Sequence, residues 1–184
     1  MIQIRLHGRG GQGTVTAAEL MASAAFDDGH EAQAFPAFGV ERRGAPVQAF
    51  CRIADAPIRQ RSQIYEPDYA VVQDATLLGT VDVTAGIKPG GTLLLNTERT
   101  AEELGIKGDF RVLTVPATKI AQEIIGRPIA NTALLGAFAA ASGAISLEAI
   151  ERNIRGRFKG EIGEKNVASA HRAYEIVKQS LGKQ

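Results

Sequence analysis

The first stretch whose residue types could do chemistry is HGRGGQG, residues 7–13, which has four glycines within six positions. Its glycines match the spacing G-x-G-x-x-G, in which backbone N–H groups can approach an anion at the positive end of a following helix. Arg9 and Gln12 add two polar side chains to this turn. Phosphate binding, contact with another subunit and close packing of the turn within the chain all fit this pattern. The candidate residues are Gly8, Arg9, Gly10, Gly11, Gln12 and Gly13.

A dinucleotide site makes a further demand, an acidic residue at the end of the second strand to bind the ribose. The segment after the first predicted helix reads HEAQAFPAF, with Glu31 near its start and no acidic residue at its end. The pattern therefore disfavours an NAD site. A stand-alone nucleotide-binding oxidoreductase that uses NAD or FAD stays the alternative interpretation, with coenzyme binding as its test.

The second unusual stretch is FPAFGVERRGAPVQAF, residues 35–50, in which two glycines bracket Glu41, Arg42 and Arg43. Adjacent arginines beside a carboxylate suit either recognition of a phosphate or carboxylate, or a local ion pair. Residues 42–61 contain five arginines and one opposing carboxylate, Asp55. A locally basic surface on a nearly neutral chain indicates an anionic ligand or partner. Arg42 and Arg43 are therefore added to the candidate binding residues.

Four further polar or reactive residues are assigned structural roles. We predict that Asp74 caps the helix after its strand through Thr76, with the ligand crevice as its second possible position. Cys51 alternates with apolar residues, which predicts a buried structural thiol. His7 is expected to be an ordinary hydrogen-bonded histidine, and Asn131 to be the N-cap of a buried helix.

The elements that must position these residues alternate between strands and helices. Period-2 and apolar runs predict strands at 2–7, 31–35, 47–53, 69–73, 92–95 and 110–115. Helical periodicity predicts helices at 14–26, 77–85, 117–125, 131–142, 147–155 and 163–181, with Ser146 as an N-cap. This alternation is typical of an α/β fold with a three-layer, mostly parallel, doubly wound sheet and helices on both faces. No linker interrupts it, so we predict a single domain over residues 1–184.

Composition excludes several classes of function. The chain has 184 residues, 45% of them hydrophobic and 22% charged, and its net charge of +1 offers no general attraction for nucleic acid. No apolar run approaches the length of a membrane span, and Arg5 comes too early for a signal peptide, so a cytoplasmic location is expected. One cysteine cannot hold an iron–sulfur cluster, and the three histidines lack metal spacing. We expect no metal or redox centre in this chain.

Considered together, the motifs resemble the gamma subunit of the 2-oxoacid:ferredoxin oxidoreductases, the family of pyruvate:ferredoxin oxidoreductase (pyruvate synthase). The resemblance spans essentially the whole chain. Its motifs are GRGGQG at 8–13, FGVERRGAP at 38–46, PDYAVVQD at 67–74, KPGGTLLLN at 88–96, NTALLGAFA at 131–139 and KNVASAHRAYE at 165–175.

The resemblance implies a complex that oxidatively decarboxylates a 2-oxoacid with coenzyme A, giving acyl-CoA, CO2 and electrons for ferredoxin. Such complexes use thiamine diphosphate with Mg, [4Fe-4S] clusters and coenzyme A, and the implied partners are alpha, beta and delta subunits. Pyruvate is the expected substrate, with branched-chain, aryl and 2-oxoglutarate relatives sharing the motifs. This chain lacks a G-D-G motif for thiamine diphosphate, since Gly108-Asp109 is followed by Phe110. It is expected to be structural or on the coenzyme A side, and inactive alone.

The site hypothesis joins the two loops. We expect the GRGGQG turn and the FGVERRG loop to lie together at the carboxyl ends of the strands, where open α/β sheets bind ligands. There Arg42 and Arg43 would pair with coenzyme A phosphates or with acidic groups of a partner subunit.

Overall fold

The computed structural model describes residues 1–37, 39 and 42–183, so Phe38, Val40 and Glu41 of the second loop lie outside the described residues. Six strands form one sheet in the order β2-β3-β1-β4-β5-β6. The strands are β1 Ile2–Arg9, β2 Glu31–Pro36, β3 Pro46–Ala54, β4 Tyr69–Val72, β5 Gly91–Asn96 and β6 Phe110–Val115. The helices are α1 Thr14–Asp27, α2 Ala101–Leu104, α3 Ala117–Ile124, α4 Asn131–Ser142, α5 Leu147–Arg157 and α6 Gly160–Leu181.

The sheet is mostly parallel, as predicted, with one exception that the sequence did not indicate. β1, β4, β5 and β6 run parallel, and β1 places its Ile4 beside Tyr69 of β4. β3 runs antiparallel between β1 and β2, with Ile4 beside Cys51. β2 and β3 form a hairpin, and β3 lies between β1 and β2. A dinucleotide-binding fold would instead place the first two strands of the chain side by side.

One face of the sheet, here called the helical face, is covered by α1, α3, α4, α5 and α6. Its strand residues include Ile4, Leu6, Cys51, Ile53, Val71, Leu94 and Leu113. α4 is buried on almost all sides, as its apolar sequence predicts. It lies so close to α6 that a Cβ on Gly136 would overlap the backbone carbonyl of Ala170, and Phe138 meets Tyr69 edge-on at 5.3 Å between ring centroids.

The opposite face, here called the loop face, has a much thinner cover. Its strand residues include Arg5, His7, Phe50, Arg52, Ala70, Val72, Leu93 and Leu95. Over β4 and β5 a small apolar cluster forms with Leu77 and Val83, beside a short 3-10 helix, Ala75–Gly79, and α2. Over β1, β2 and β3 the buried side chains include the guanidinium groups of Arg5 and Arg52 and the imidazole of His7. A segment without regular secondary structure covers them. The predicted helices on both faces are confirmed, with most helical residues on one of them.

The helix predicted over 77–85 is wrong, because only the 3-10 helix Ala75–Gly79 forms there. After it, the carboxylate of Asp82 accepts hydrogen bonds from the backbone N–H and the hydroxyl of Thr84, at 3.0 and 2.7 Å. Such a side-chain turn competes with the helical backbone. Four-residue α2 was not predicted, although its capping box is readable in the sequence: Thr100 and Glu103 bond each other's backbone N–H groups.

The C-terminal helices follow the predictions closely. Ser146 caps α5 by accepting a hydrogen bond from the backbone N–H of Ala149, and α6 begins at Gly160, three residues before the predicted start. Within the described part of the chain, none of the helices combines the length and apolar character that crossing a bilayer requires.

Candidate functional site

The structure brings the glycine turn and the second loop together at the carboxyl ends of the parallel strands. The backbone N–H of Gly10 donates to the carbonyl of Ala45, and the N–H of Gly44 donates to the carbonyl of Gly10, both at 2.9 Å. Gly10 and Arg43 form an isolated parallel bridge. The two motifs are therefore one backbone structure, in which each segment fixes the other.

The glycines of the turn have different roles. Gly8 and Gly10 are buried, and a Cβ there would overlap the hydroxyl of Thr14 or the carbonyl of Arg42, so these two glycines permit close packing. Gly11 and Gly13 have φ values of +93° and +74°, which only glycine adopts readily. Of the four, Gly11 is the exposed one.

Arg9 and Gln12 connect the turn to the end of β4. The Arg9 guanidinium lies 3.4 Å from the Asp74 carboxylate and donates to the Thr76 hydroxyl at 2.9 Å and the Gly44 carbonyl at 3.0 Å. The Gln12 amide donates to Asp74 at 2.8 Å. These bonds cross the switch point between β1 and β4 and hold the 42–45 segment against the turn.

Asp74 has both of the predicted positions, as a helix cap and at the ligand crevice. Its carboxylate caps the 3-10 helix by accepting from the backbone N–H of Thr76 at 2.9 Å, and it also lines the crevice beside the turn. Burial alone would raise the pKa of Asp74, but hydrogen bonds from Thr76 and Gln12 and the nearby Arg9 guanidinium hold it below its usual value. The carboxylate is thus charged at neutral pH and available to Arg9.

Arg42 and Arg43 lie at the exposed rim of this structure. Among the described residues neither guanidinium pairs with a carboxylate. The stem of Arg43 passes 3.6 Å from the position of a Cβ on Gly11. Nearby, α1 begins after Gly13 without a side-chain cap. Two arginines and Gly11 are therefore exposed together at the turn.

On the other side of the turn is a crevice of about 940 Å³ between the ends of β4 to β6 and the starts of α3 and α4. Its charged lining residues are three carboxylates, Asp74, Glu98 and Glu123, and one amine, Lys119. Glu98 pairs with Lys119 at 3.5 Å. Asp74 pairs with Arg9 and Glu123 with Arg172, so among the described residues the unpaired cations lie on the arginine side of the turn and not in the crevice.

Sequence reasoning missed two amides in the crevice, Gln73 and Asn96. The Asn96 amide donates to the Gln73 carbonyl and to the Thr118 hydroxyl, both at 2.7 Å, which joins β5 to β4 and α3. The Gln73 side-chain oxygen is buried without a hydrogen-bond partner among the described residues. The signal was present: each amide directly follows an apolar strand run, AVV or LLL.

The structural roles predicted for Cys51 and His7 are confirmed, and the one for Asn131 is wrong. Cys51 is fully buried, which raises the pKa of its thiol to about 12. His7 is buried and accepts a hydrogen bond from Arg5 at 2.9 Å. Asn131 is the first residue of α4, after Ala130 at the N-cap position, and its amide packs against Gly13. The Asn131 side chain therefore contacts the glycine turn and does not cap α4.

Two arrangements do not support a dinucleotide site. β3 lies between β1 and β2, so the end of β2 is not beside the glycine turn. The carbonyl of Arg42 also occupies the space above Gly10 through which a pyrophosphate would approach. In addition, no cluster of three or more His, Cys, Asp or Glu side chains within 1–37, 39 and 42–183 has an arrangement suited to a metal ion.

Comparisons with known proteins agree with one another. The family model for pyruvate ferredoxin/flavodoxin oxidoreductase matches residues 3–176. The chain is 59% identical over 178 residues to pyruvate synthase subunit PorC of Methanosarcina barkeri, covering 97% of this chain and 98% of that one. It is 56% identical to the common subunit gamma of the pyruvate/ketoisovalerate oxidoreductases of Thermococcus litoralis, covering 95% and 96%. The crystal structure of pyruvate oxidoreductase subunit PORC from Thermotoga maritima superposes with a TM-score of 0.84 at 38% identity, covering 95% of each chain.

Proposed function

This chain belongs to the pyruvate ferredoxin/flavodoxin oxidoreductase family and is the gamma subunit of a pyruvate/2-oxoacid:ferredoxin oxidoreductase; from that premise we propose that its glycine turn and Arg42/Arg43 rim form the anion-binding site of the subunit. The anion is a phosphate of coenzyme A or a carboxylate of a partner subunit. The chain itself supplies no catalytic group and contributes binding and assembly.

One observation carries this proposal: the exposed guanidinium groups of Arg42 and Arg43 lie on a segment that is bonded, backbone to backbone, to the glycine turn. Arg9 and Gln12 act as positioning residues, because their side chains bond inside the chain. Gly8, Gly10 and Gly13 make the close packing possible, and exposed Gly11 leaves the adjacent backbone open to a ligand. A guanidinium fork on a fixed backbone suits a phosphate or a carboxylate, since both accept two parallel hydrogen bonds.

Electrostatics favour the rim over the crevice for the charged part of a ligand. The crevice carboxylates Asp74, Glu98 and Glu123 each have a cationic partner, and these ion pairs leave no unpaired cation for a phosphate among the described lining residues. An uncharged portion of the same ligand is compatible with its polar amides and hydroxyls. We therefore place phosphates at Arg42 and Arg43 and leave the crevice to uncharged groups.

The cofactors of the complete enzyme belong to its other subunits in this proposal. The one cysteine, Cys51, is buried in the sheet and cannot ligate a cluster that reaches a partner. We propose that thiamine diphosphate with Mg and the [4Fe-4S] clusters reside on alpha, beta and delta subunits, and that ferredoxin takes the electrons there. Pyruvate is the proposed 2-oxoacid, since the names of both relatives include it. A cytoplasmic complex in which residues 1–184 form one domain completes the proposal.

The test replaces Arg42 and Arg43 by alanine in the complex. The matched control is Arg157→Ala with Lys159→Ala, two exposed cations at the C-terminal end of α5 and just after it. We expect the first pair to raise the KM for coenzyme A or the Kd for the other subunits about tenfold, a loss of about 1.4 kcal/mol. The control should stay within twofold. A coenzyme A KM and a subunit Kd that both stay within twofold of wild type would overturn the anion-binding site.

A further inference from the structure

A loop of fourteen residues, 55–68, connects β3 to β4 without regular secondary structure. It begins at the end of β3 opposite the Arg42/Arg43 rim and crosses the loop face. Loops of this length inside a compact fold are uncommon and usually have a function of their own. The proposed anion-binding site does not involve this segment.

Two buried arginines hold the loop from below. Arg52, 1% exposed, donates to the carbonyl of Ser62 at 2.6 Å, and Arg5, 5% exposed, donates to the carbonyl of Tyr65 at 3.4 Å. Their remaining acceptors are amide and carbonyl oxygens and one imidazole nitrogen. Burying a guanidinium without a bonded carboxylate is costly. The hydrogen bonds of both guanidinium groups offset this cost and fix the loop backbone at Ser62 and Tyr65.

Three other contacts fix the same segment. The amide of Gln33 donates to the carbonyl of Gln60 at 3.1 Å, and Ile64 is a buried apolar anchor with 2% exposure. The backbone of Gly86 lies directly against the carbonyl of Tyr65. The loop is therefore irregular but held at several points along its length, and a pre-organised segment loses less conformational entropy on binding.

The outer side of this held loop carries side chains that are enriched in protein interfaces. Arg59 and Arg61 are exposed, and neither pairs with a carboxylate in the part of the chain that the structure describes. Tyr65 is 71% exposed, although its own backbone is fixed. Tyrosine and arginine dominate the energetically important positions of interfaces.

We propose that Arg59, Arg61 and Tyr65, here called the docking surface, bind an acidic surface of another subunit of the oxidoreductase. This rests on the proposed function, which supplies the partner. Of the three loop carboxylates, Asp55 bonds His30 and Asp68 pairs with Lys88, while Glu66 is exposed and pairs with neither arginine in the described structure. The two arginines therefore have no carboxylate partner within the described part of the chain, and an acidic partner would supply one. A broad contact fits better than a small anion, because the exposed tyrosine needs an extended surface to cover it.

The experiment compares two charge reversals in the complex purified through a tag on this chain. Arg59→Glu with Arg61→Glu changes the docking surface, and Arg157→Glu with Lys159→Glu makes the same change in charge around the C-terminal end of α5. The dissociation constant of this chain from the other subunits is measured by native mass spectrometry over a dilution series, at two salt concentrations. Melting temperatures of the isolated variants confirm that both are folded.

We expect the docking-surface variant to dissociate at least tenfold more readily than wild type and to lose most of its salt dependence, while the control stays within twofold. A docking-surface variant within twofold of wild type would overturn the inference. Unchanged assembly with a raised KM for coenzyme A would also overturn it, in favour of a phosphate at these arginines. A wild-type chain that recovers no other subunit would instead contradict the proposed function.

Discussion

The two faces of the sheet are stabilised by different forces. On the helical face, five helices bury a continuous apolar core around residues such as Leu94 and Phe138. On the loop face over β1 to β3, Arg5, His7 and Arg52 are buried, and their hydrogen bonds fix irregular backbone. Apolar packing is not directional, whereas each hydrogen bond fixes one atom relative to another.

This difference shows that irregular backbone lies over the part of the sheet where buried guanidinium groups bond to it. A helix on an apolar face presents a regular surface, and its packing sets its position. A loop held by guanidinium donors has a defined shape without regular structure, so it can present chosen side chains outward. The structure uses the first solution for stability and the second beside both proposed binding surfaces. Three changes would break or sharpen this comparison.

The largest effect is expected on the helical face. Phe138→Ala removes a fully buried ring that meets Tyr69 edge-on at 5.3 Å, and it leaves a cavity. We expect a loss of about 3–5 kcal/mol in the free energy of unfolding, measured by urea denaturation. Phe26→Ala is the control, since Phe26 is 68% exposed, and it should change stability by less than about 0.5 kcal/mol. A loss below about 1 kcal/mol for Phe138→Ala would mean that the apolar core does not dominate this face.

The second prediction concerns the pH dependence of the loop face. Burial, and then the Arg5 guanidinium, lower the pKa of His7 to about 3 from 6.5, while Asp82 opposes the shift. Below pH 6.5 His7 binds a proton in the unfolded chain but not in the native chain. The free energy of unfolding is therefore highest above pH 6.5 and falls as the pH drops toward 3. Between pH 6.5 and 4 the loss due to His7 should be about 3 kcal/mol.

Unfolding of wild type and His7→Gln across that pH range measures the contribution. Glutamine keeps an acceptor for Arg5 but does not titrate. Between pH 6.5 and 4 the free energy of unfolding of the variant should therefore fall by about 3 kcal/mol less than that of wild type. Other groups that titrate are common to both proteins and cancel in the difference. Parallel curves would show that His7 is protonated as easily in the folded chain as in the unfolded one.

The smallest of the three effects is the most local. Arg52→Met removes the donors to Ser62 and to the amides of Gln3 and Gln33, and we expect a loss of about 2 kcal/mol. Hydrogen exchange of the Asp68 backbone N–H, which donates to the Gln3 carbonyl at 2.8 Å at the end of the loop, should accelerate about tenfold while α4 and α6 keep their protection. Arg61→Met, on the exposed side of the same loop, is the control and should leave exchange unchanged. Equal acceleration in the helices would mean that Arg52 stabilises the whole fold and not the loop.

Much of the fold was predictable because its signals are local. The alternation of IQIRLH predicted β1, the apolar run NTALLGAFAAAS predicted α4, and Ser146 marked the start of α5. The helix predicted over 77–85 failed because hydrogen bonds from Thr84 to the Asp82 carboxylate compete with helical ones. The antiparallel direction of β3 has no local signal, since its alternating pattern is the same in either direction.

The candidate site was predictable in part. The glycine turn and the Arg42/Arg43 loop were both found from their composition, and the structure joins them through backbone hydrogen bonds. Gln73 and Asn96 were missed, although each follows an apolar strand. The position of Asn131 depended on Gly13, more than one hundred residues earlier in the chain, and no local rule contains such a contact.

The sequence by itself determined the elements, the mostly parallel sheet, the family resemblance and the two loops that carry its conspicuous residues. Only the tertiary structure decided which of those residues face outward. Arg5 and Arg52 lie within strands and are buried, whereas Arg42, Arg59 and Arg61 lie in loops and are exposed, and residue type alone does not distinguish them. The physical reason is that periodicity records the average environment of a segment, whereas the partner of a charged group is set by residues distant in the chain.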